Sequence, residues 1–165
     1  MSRSLPISPL TQAGFAPFGQ VIETAGHTPI AINQGYCQRF DDLAKLDVTA
    51  KQGRPVLSIF RSQALETPLY LHQMERHLLA SQAFIPLGGR PWLVVVAPAG
   101  KFARAQMRGF VASGKQGVNF APGTWHHFSL ALEQATDFLV IDRAAMEPDC
   151  EEIKLEPAIL LEVPR

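Results

Sequence analysis

Near the middle of the chain, Glu75 and His77 stand two residues apart, and Gln82 follows five residues later. If residues 69–77 run as a strand, alternation places Glu75 and His77 on one face, which two groups serving one centre require. A second polar group closes the segment Gly117-Val-Asn-Phe-Ala-Pro-Gly-Thr-Trp-His-His127. Its Pro122-Gly123 pair suits the central positions of a type II turn. Such a turn delivers His126 and His127 onto the strand that follows, where neighbours face opposite ways and one imidazole points inward. Carboxylate and imidazole groups have pKa values tunable toward neutrality and can move protons. Glu75, His77, Gln82 and an inward histidine also make an N/O donor set for a divalent metal with an open position. The alternative is a metal-free pocket in which these side chains bond to one another. Asn33-Gln34-Gly35 with Arg39-Phe40 is a second polar segment without an evident packing role. Its amides and its arginine fork suit a small polar acid, and a solvated turn is the competing reading.

The elements that position these groups read as short strands. Thirteen prolines and twelve glycines are scattered along 165 residues and punctuate brief apolar segments, a β-rich signature. Residues 11–18 read as a short helix with Thr11 near its N-cap, and residues 20–23 as a strand. Further strands are expected at 56–61, 81–87, 92–97, 117–120, 125–132, 135–142 and 150–155. Residues 92–97 (WLVVVA) are apolar on both faces, as a fully buried strand requires. Phe102, Met107, Phe110 and Val111 fall at roughly helical spacing, so residues 102–112 read as a second helix. No alternation of strand and helix appears, which argues against a parallel doubly wound sheet. A mainly β closed barrel or jelly roll fits, since closure removes exposed edges.

Length and composition set the frame. The length suits one domain spanning residues 1–165, large enough to fold without staples. Fifteen basic and fifteen acidic residues cancel, and only 18% of residues are charged. Nothing therefore supplies the field that nucleic-acid or anionic-membrane binding needs. No apolar run approaches a membrane span, and the first residues lack a secretory h-region. Cys37 and Cys150 make no disulfide framework. They read as packing residues in a cytoplasmic protein.

The 117–127 segment resembles the second motif of the cupins, in which a Pro-Gly turn aims a histidine into a small barrel; that spacing favours His126 as the inward ring. At the first cupin motif this chain carries Glu75, His77 and Gln82, where cupins usually have two histidines and a carboxylate. Metal and no metal both stay open. Beyond these motifs, the chain resembles the ureidoglycolate lyase family through Phe15-Ala-Pro-Phe-Gly19, Ile32-Asn-Gln-Gly35, Arg39-Phe40, Leu57-Ser-Ile-Phe-Arg61 and Glu75-Arg-His77. Ser81-Gln-Ala-Phe-Ile-Pro-Leu87, the 117–127 segment and Asp137-Phe-Leu-Val-Ile-Asp-Arg143 extend the likeness over nearly the whole chain. The resemblance implies a cupin-like barrel, a homodimer and cleavage of (S)-ureidoglycolate to glyoxylate and urea in allantoin degradation, with nickel as the cofactor of some members. On that basis His126 or Glu75 is the base, His77 positions substrate or metal, and Arg39 or Arg61 grips the substrate carboxylate. Asn33, Gln34, Gln82 and Trp125 are the remaining substrate-binding positions. Two other readings are a different cupin-fold enzyme acting on a small hydroxy acid, and a non-enzymatic barrel that senses glyoxylate or a related hydroxy acid.

Overall fold

The computed structural model describes residues 4–163. The strands are β1 (Ser4–Pro9), β2 (Gly19–Ile22), β3 (Ile30–Ile32), β4 (Cys37–Arg39), β5 (Arg54–Ser62), β6 (Leu69–His77), β7 (Gln82–Pro86) and β8 (Gly89–Ala97). They continue with β9 (Arg108–Gly114), β10 (Gly117–Phe120), β11 (Trp125–His126), β12 (Leu130–Ala131), β13 (Thr136–Ala144) and β14 (Cys150–Glu162). One short helix, α1 (Gln12–Phe15), follows β1, and the Thr11 side chain accepts the Gly14 N–H at its N-cap.

Strands β11, β6, β14, β1, β9 and β8 pair in that order, and β11 also pairs β8, which closes a six-stranded barrel. The barrel is mixed, because β1 runs parallel to both β14 and β9. A five-stranded sheet, β2-β10-β7-β13-β5, packs on it. The expected cupin-like β architecture is therefore present. Strand β8 explains why its sequence is apolar on both faces. Trp92, Val94 and Val96 join Phe84, Phe120 and Phe138 in the core between barrel and sheet. Leu93, Val95 and Ala97 join Leu71, Met74 and Leu161 in a second core within the barrel.

Residues 102–112 are not a helix. Only a short 3-10 turn, Arg104–Gln106, precedes β9. Phe110 packs in the sheet-facing core, whereas Met107 and Val111 belong with the barrel interior. Burial on both faces removes the period-2 signal, and the apolar spacing left behind resembles a helix's. The strand expected over 125–132 is broken into β11 and β12. Besides β9, the strands β1, β3 and β4 lie where no strand was expected; two of the six residues of β1 are prolines. Among the described residues, no helix is long and apolar enough to cross a membrane.

A buried histidine and carboxylate cluster between barrel and sheet

The turn before β11 is built as its sequence demands. Gly123 has φ +81°, and the Thr124 N–H donates to the Ala121 carbonyl at 3.1 Å, the geometry of a type II turn. The turn is tied down by three hydrogen bonds to two carbonyls. The Gly123 N–H donates to the His77 carbonyl at 2.8 Å, the Ala121 N–H donates to the Phe18 carbonyl at 2.9 Å, and the Thr124 hydroxyl donates to the same carbonyl at 3.0 Å. The turn thus locks the start of β11 to the end of β6 and to the helix–strand junction at Phe18.

Register then assembles the site. His126 pairs Glu75 between β11 and β6, and β14 sets Glu152 opposite Glu75 and Cys150 opposite His77. Directly opposite residues share a face. Trp125, one residue earlier, faces the barrel interior instead, where its Nε1 donates to the Gly100 carbonyl and the Arg76 guanidinium lies over its ring. His126 is 1% exposed. Its ring stacks on Phe120, with centroids 4.3 Å apart and planes 2° from parallel. Its Nδ1 lies 3.8 Å from Glu75 Oε1, and its ring centroid 5.5 Å from that of His77. The His77 Nδ1 faces Asp149 Oδ1 at 3.6 Å, while Asp149 Oδ2 accepts the Leu79 N–H at 3.0 Å.

The Nε2 atoms of both His77 and His126 are buried and meet no partner. Donor atoms of Glu75, His77 and His126 lie within 4.8 Å of one another. Gln82 stands opposite Phe120; its amide nitrogen donates to Asp142 at 3.4 Å, and its Oε1 is buried without a partner. Among the described residues, Glu75, Asp142, Asp149 and Glu152 pair with no lysine or arginine.

Burial shapes the electrostatics. Desolvation raises the Glu75 carboxyl above its ordinary range, and the carboxylate of Glu152 adds to the rise. Desolvation lowers His126 to about 3, with His77 adding to the effect, and lowers His127 to about 4. His127 is buried too, at 6% exposure, with Nδ1 against the Phe128 carbonyl. The two histidines make the fold acid-labile. In the unfolded chain each takes up a proton near pH 6.5, whereas the folded chain refuses it until about pH 4 or lower. Stability therefore holds above pH 6.5 and falls below it, by about 1.4 kcal/mol per pH unit for each histidine. Glu75 acts in the opposite sense, but as one group against two. Urea midpoints measured from pH 7 to pH 5 are expected to fall steeply, and a flat profile would contradict the burial of these rings.

Several expected residues lie outside the cluster. Arg61 is on the outer side of β5, bidentate to Asp137 at 2.7 and 2.9 Å. Asn33, Gln34 and Arg39 are exposed on the β3–β4 hairpin. Cys37 and Cys150 are both exposed rather than packed, the latter with Sγ 3.9 Å from Glu75 Oε2. Asp149, Cys150 and Glu152 adjoin the site although the sequence did not single them out for it. Their signal was the strand expected at 150–155; its pairing with β6 is long-range and could not be read from that segment.

A family model described as Ureidoglycolate lyase matches residues 2–162. The chain belongs to the ureidoglycolate lyase family. A Burkholderia mallei protein named ureidoglycolate lyase is 49% identical over 159 residues, covering 96% of this chain and 94% of its own. Relatives of the same name from Brucella anthropi (50% identical; 90% and 88% covered) and Azotobacter vinelandii (49%; 91% of each) agree. The lyase family thus spans both the barrel and the sheet, and so every residue of the cluster.

Proposed function

We propose that this protein is a ureidoglycolate lyase, cleaving (S)-ureidoglycolate to glyoxylate and urea. The observation that carries the reading is the Glu75–His77–His126 cluster, with His126 buried and the other two half-buried, in a chain whose relatives bear that name. Ureidoglycolate carries a hydroxyl, a carboxylate and a ureido nitrogen on one carbon. In the elimination a base takes the hydroxyl proton and the oxygen's electrons form the aldehyde C=O. The C–N bond breaks, and the departing nitrogen receives a proton.

The residues divide these tasks. Burial depresses the proton affinity of the His126 ring and raises that of the Glu75 carboxyl, so Glu75 is the better base of the two. Glu75, raised by burial, is matched to proton transfer nearer neutrality. Glu75 takes the hydroxyl proton. His77, faced by Asp149, presents Nε2 to the substrate and returns a proton to the urea nitrogen, while His126 holds the reacting group in place. The donor set fits a divalent cation: two orphaned imidazole nitrogens, one carboxylate, and further carboxylates without basic partners. Glu75, His77 and His126 would hold such an ion, nickel by family resemblance, in place of the proton-transfer roles just given to Glu75 and His77, and when bound it would lower the pKa of the substrate hydroxyl.

A homodimer in the cytoplasm is part of the same reading. Leu57, Ile59 and Leu87 are exposed beside the Arg61–Asp137 pair on the outer side of the five-stranded sheet. An apolar patch flanked by both signs of charge suits a two-fold, self-complementary interface. Fifteen basic residues are balanced by fifteen acidic ones, a charge balance that suits small-molecule chemistry better than nucleic-acid or membrane binding.

The test is urea and glyoxylate release from racemic ureidoglycolate, with chelator and with added nickel. Equimolar release, well above the spontaneous rate and stopping near half conversion, is the expected result. Release at the spontaneous rate under every condition would overturn the reading and favour a binding barrel.

A further inference from the structure

The Asn33–Arg39 motif has no place in the cluster, and its location is peculiar. Strands β3 and β4 pair only with each other, from Ile30↔Arg39 to Ile32↔Cys37. Among the described residues, no hydrogen bond or ion pair links residues 30–40 to the barrel or the five-stranded sheet. The Tyr36 N–H returns to the Asn33 carbonyl, and Arg39 pairs with nearby Asp41 at 2.9 Å. Tyr36 is 92% exposed and Ile30 46%. A lone two-stranded hairpin is marginal in water. Yet this tip holds three consecutive left-handed residues, Asn33 (φ 53°), Gln34 (φ 59°) and Gly35 (φ 88°). Asn33 and Gly35 tolerate that conformation, but Gln34 is strained in it; such strain persists where surrounding structure imposes it, and the chain's own body makes no bond to the tip.

The cluster has a complementary deficit. Glu75, Asp142, Asp149 and Glu152 stand in and around it without a lysine or arginine partner, yet the proposed substrate is an anion whose carboxylate calls for a cation. We propose that, in a homodimer, the β3–β4 arm of each copy closes the site of the other. This rests on the lyase reading for the identity of the substrate. The partner's Arg39 grips the substrate carboxylate, exchanging an exposed pair with Asp41 that contributes little by itself. The amides of the partner's Asn33 and Gln34 face the ureido group, and the partner's Tyr36 covers the mouth. Each site is incomplete in a single chain.

Two measurements decide it. The first is complementation. Arg39→Ala lacks the gripping group but keeps its own cluster, whereas Glu75→Gln lacks the base but keeps its arm. Each variant alone is expected to lose at least about 100-fold in kcat/KM. Co-expressed with two tags and purified in tandem, the mixed dimer has one intact composite site and recovers about half of wild-type activity. A mixed dimer as inactive as its parents, an active Arg39→Ala homodimer, or a monomeric wild type would each overturn the proposal. The second measurement does not depend on turnover. A photo-crosslinking residue at position 36 is expected to join residues 69–77 or 149–155 of a second copy, read by mass spectrometry on mixed isotope-labelled subunits. Crosslinks confined to one chain would overturn the arm exchange. An inactive wild type with intermolecular crosslinks would instead overturn the lyase reading and leave the shared site standing.

Discussion

Replacing Glu75 with glutamine is expected to lower kcat for urea release by 100-fold or more while leaving the fold as stable as before, or more so. Glutamine keeps the shape of the side chain and removes only its ability to take the hydroxyl proton, a loss on the order of 100- to 10,000-fold for a general base. The stability half of the prediction follows from the sign of the shift. Burial and Glu152 disfavour the charged form of Glu75, raising its pKa in the folded state. Such a group stabilises the fold when protonated and loses that contribution as pH rises through its folded pKa. A permanently neutral side chain avoids the loss. Steady-state kinetics and urea denaturation at pH 7.5 test both halves. A variant with unchanged kcat would remove Glu75 from the chemistry, and a sharp drop in stability would show that its charge is favoured in the fold.

Gly19→Ala carries the largest expected effect on stability. Gly19 sits opposite Phe120 at the start of β2 with φ +147°. A Cβ there would lie 1.8 Å from the Asn119 carbonyl oxygen, 2.9 Å from its carbon and 3.0 Å from the Ala121 nitrogen. All three neighbours are backbone and cannot swing aside. Strain and overpacking together are expected to cost about 3 kcal/mol or more, a large share of the 5–15 kcal/mol typical of a domain. The damage is also directed. Phe18, one residue earlier, accepts from both Ala121 and Thr124, and that turn carries His126. The variant is expected to lose activity even at temperatures where it remains folded. A midpoint within about 1 kcal/mol of wild type would show that β2 can shift away from β10 freely.

The glycines of this chain thus do different work, and only some of it is legible in sequence. Pro122-Gly123 announces its turn, because a type II turn needs a residue tolerant of positive φ and proline presets the position before it. Gly19 announces nothing. Its requirement comes from a carbonyl on β10, a hundred residues away in the chain.

The same division runs through the site. Local spacing sufficed to put Glu75 and His77 on one face of β6, because alternation acts over a few residues; the turn buries His126 as well, but toward Phe120 of the five-stranded sheet, and it is Trp125 that faces the barrel interior. The β architecture was likewise legible, from short apolar segments punctuated by proline and glycine. Three things were decided only by tertiary structure. The β6–β14 register brought Asp149, Cys150 and Glu152 to the cluster, because strand pairing joins segments that share no local signal. Burial, which sets Glu75 and His126 apart in proton affinity, depends on the Phe120 ring and on the sheet that carries it. Residues 108–112 took the strand form because β1 and β8 flank them and both faces are covered, and packing of that kind outweighs a spacing that locally resembles a helix's.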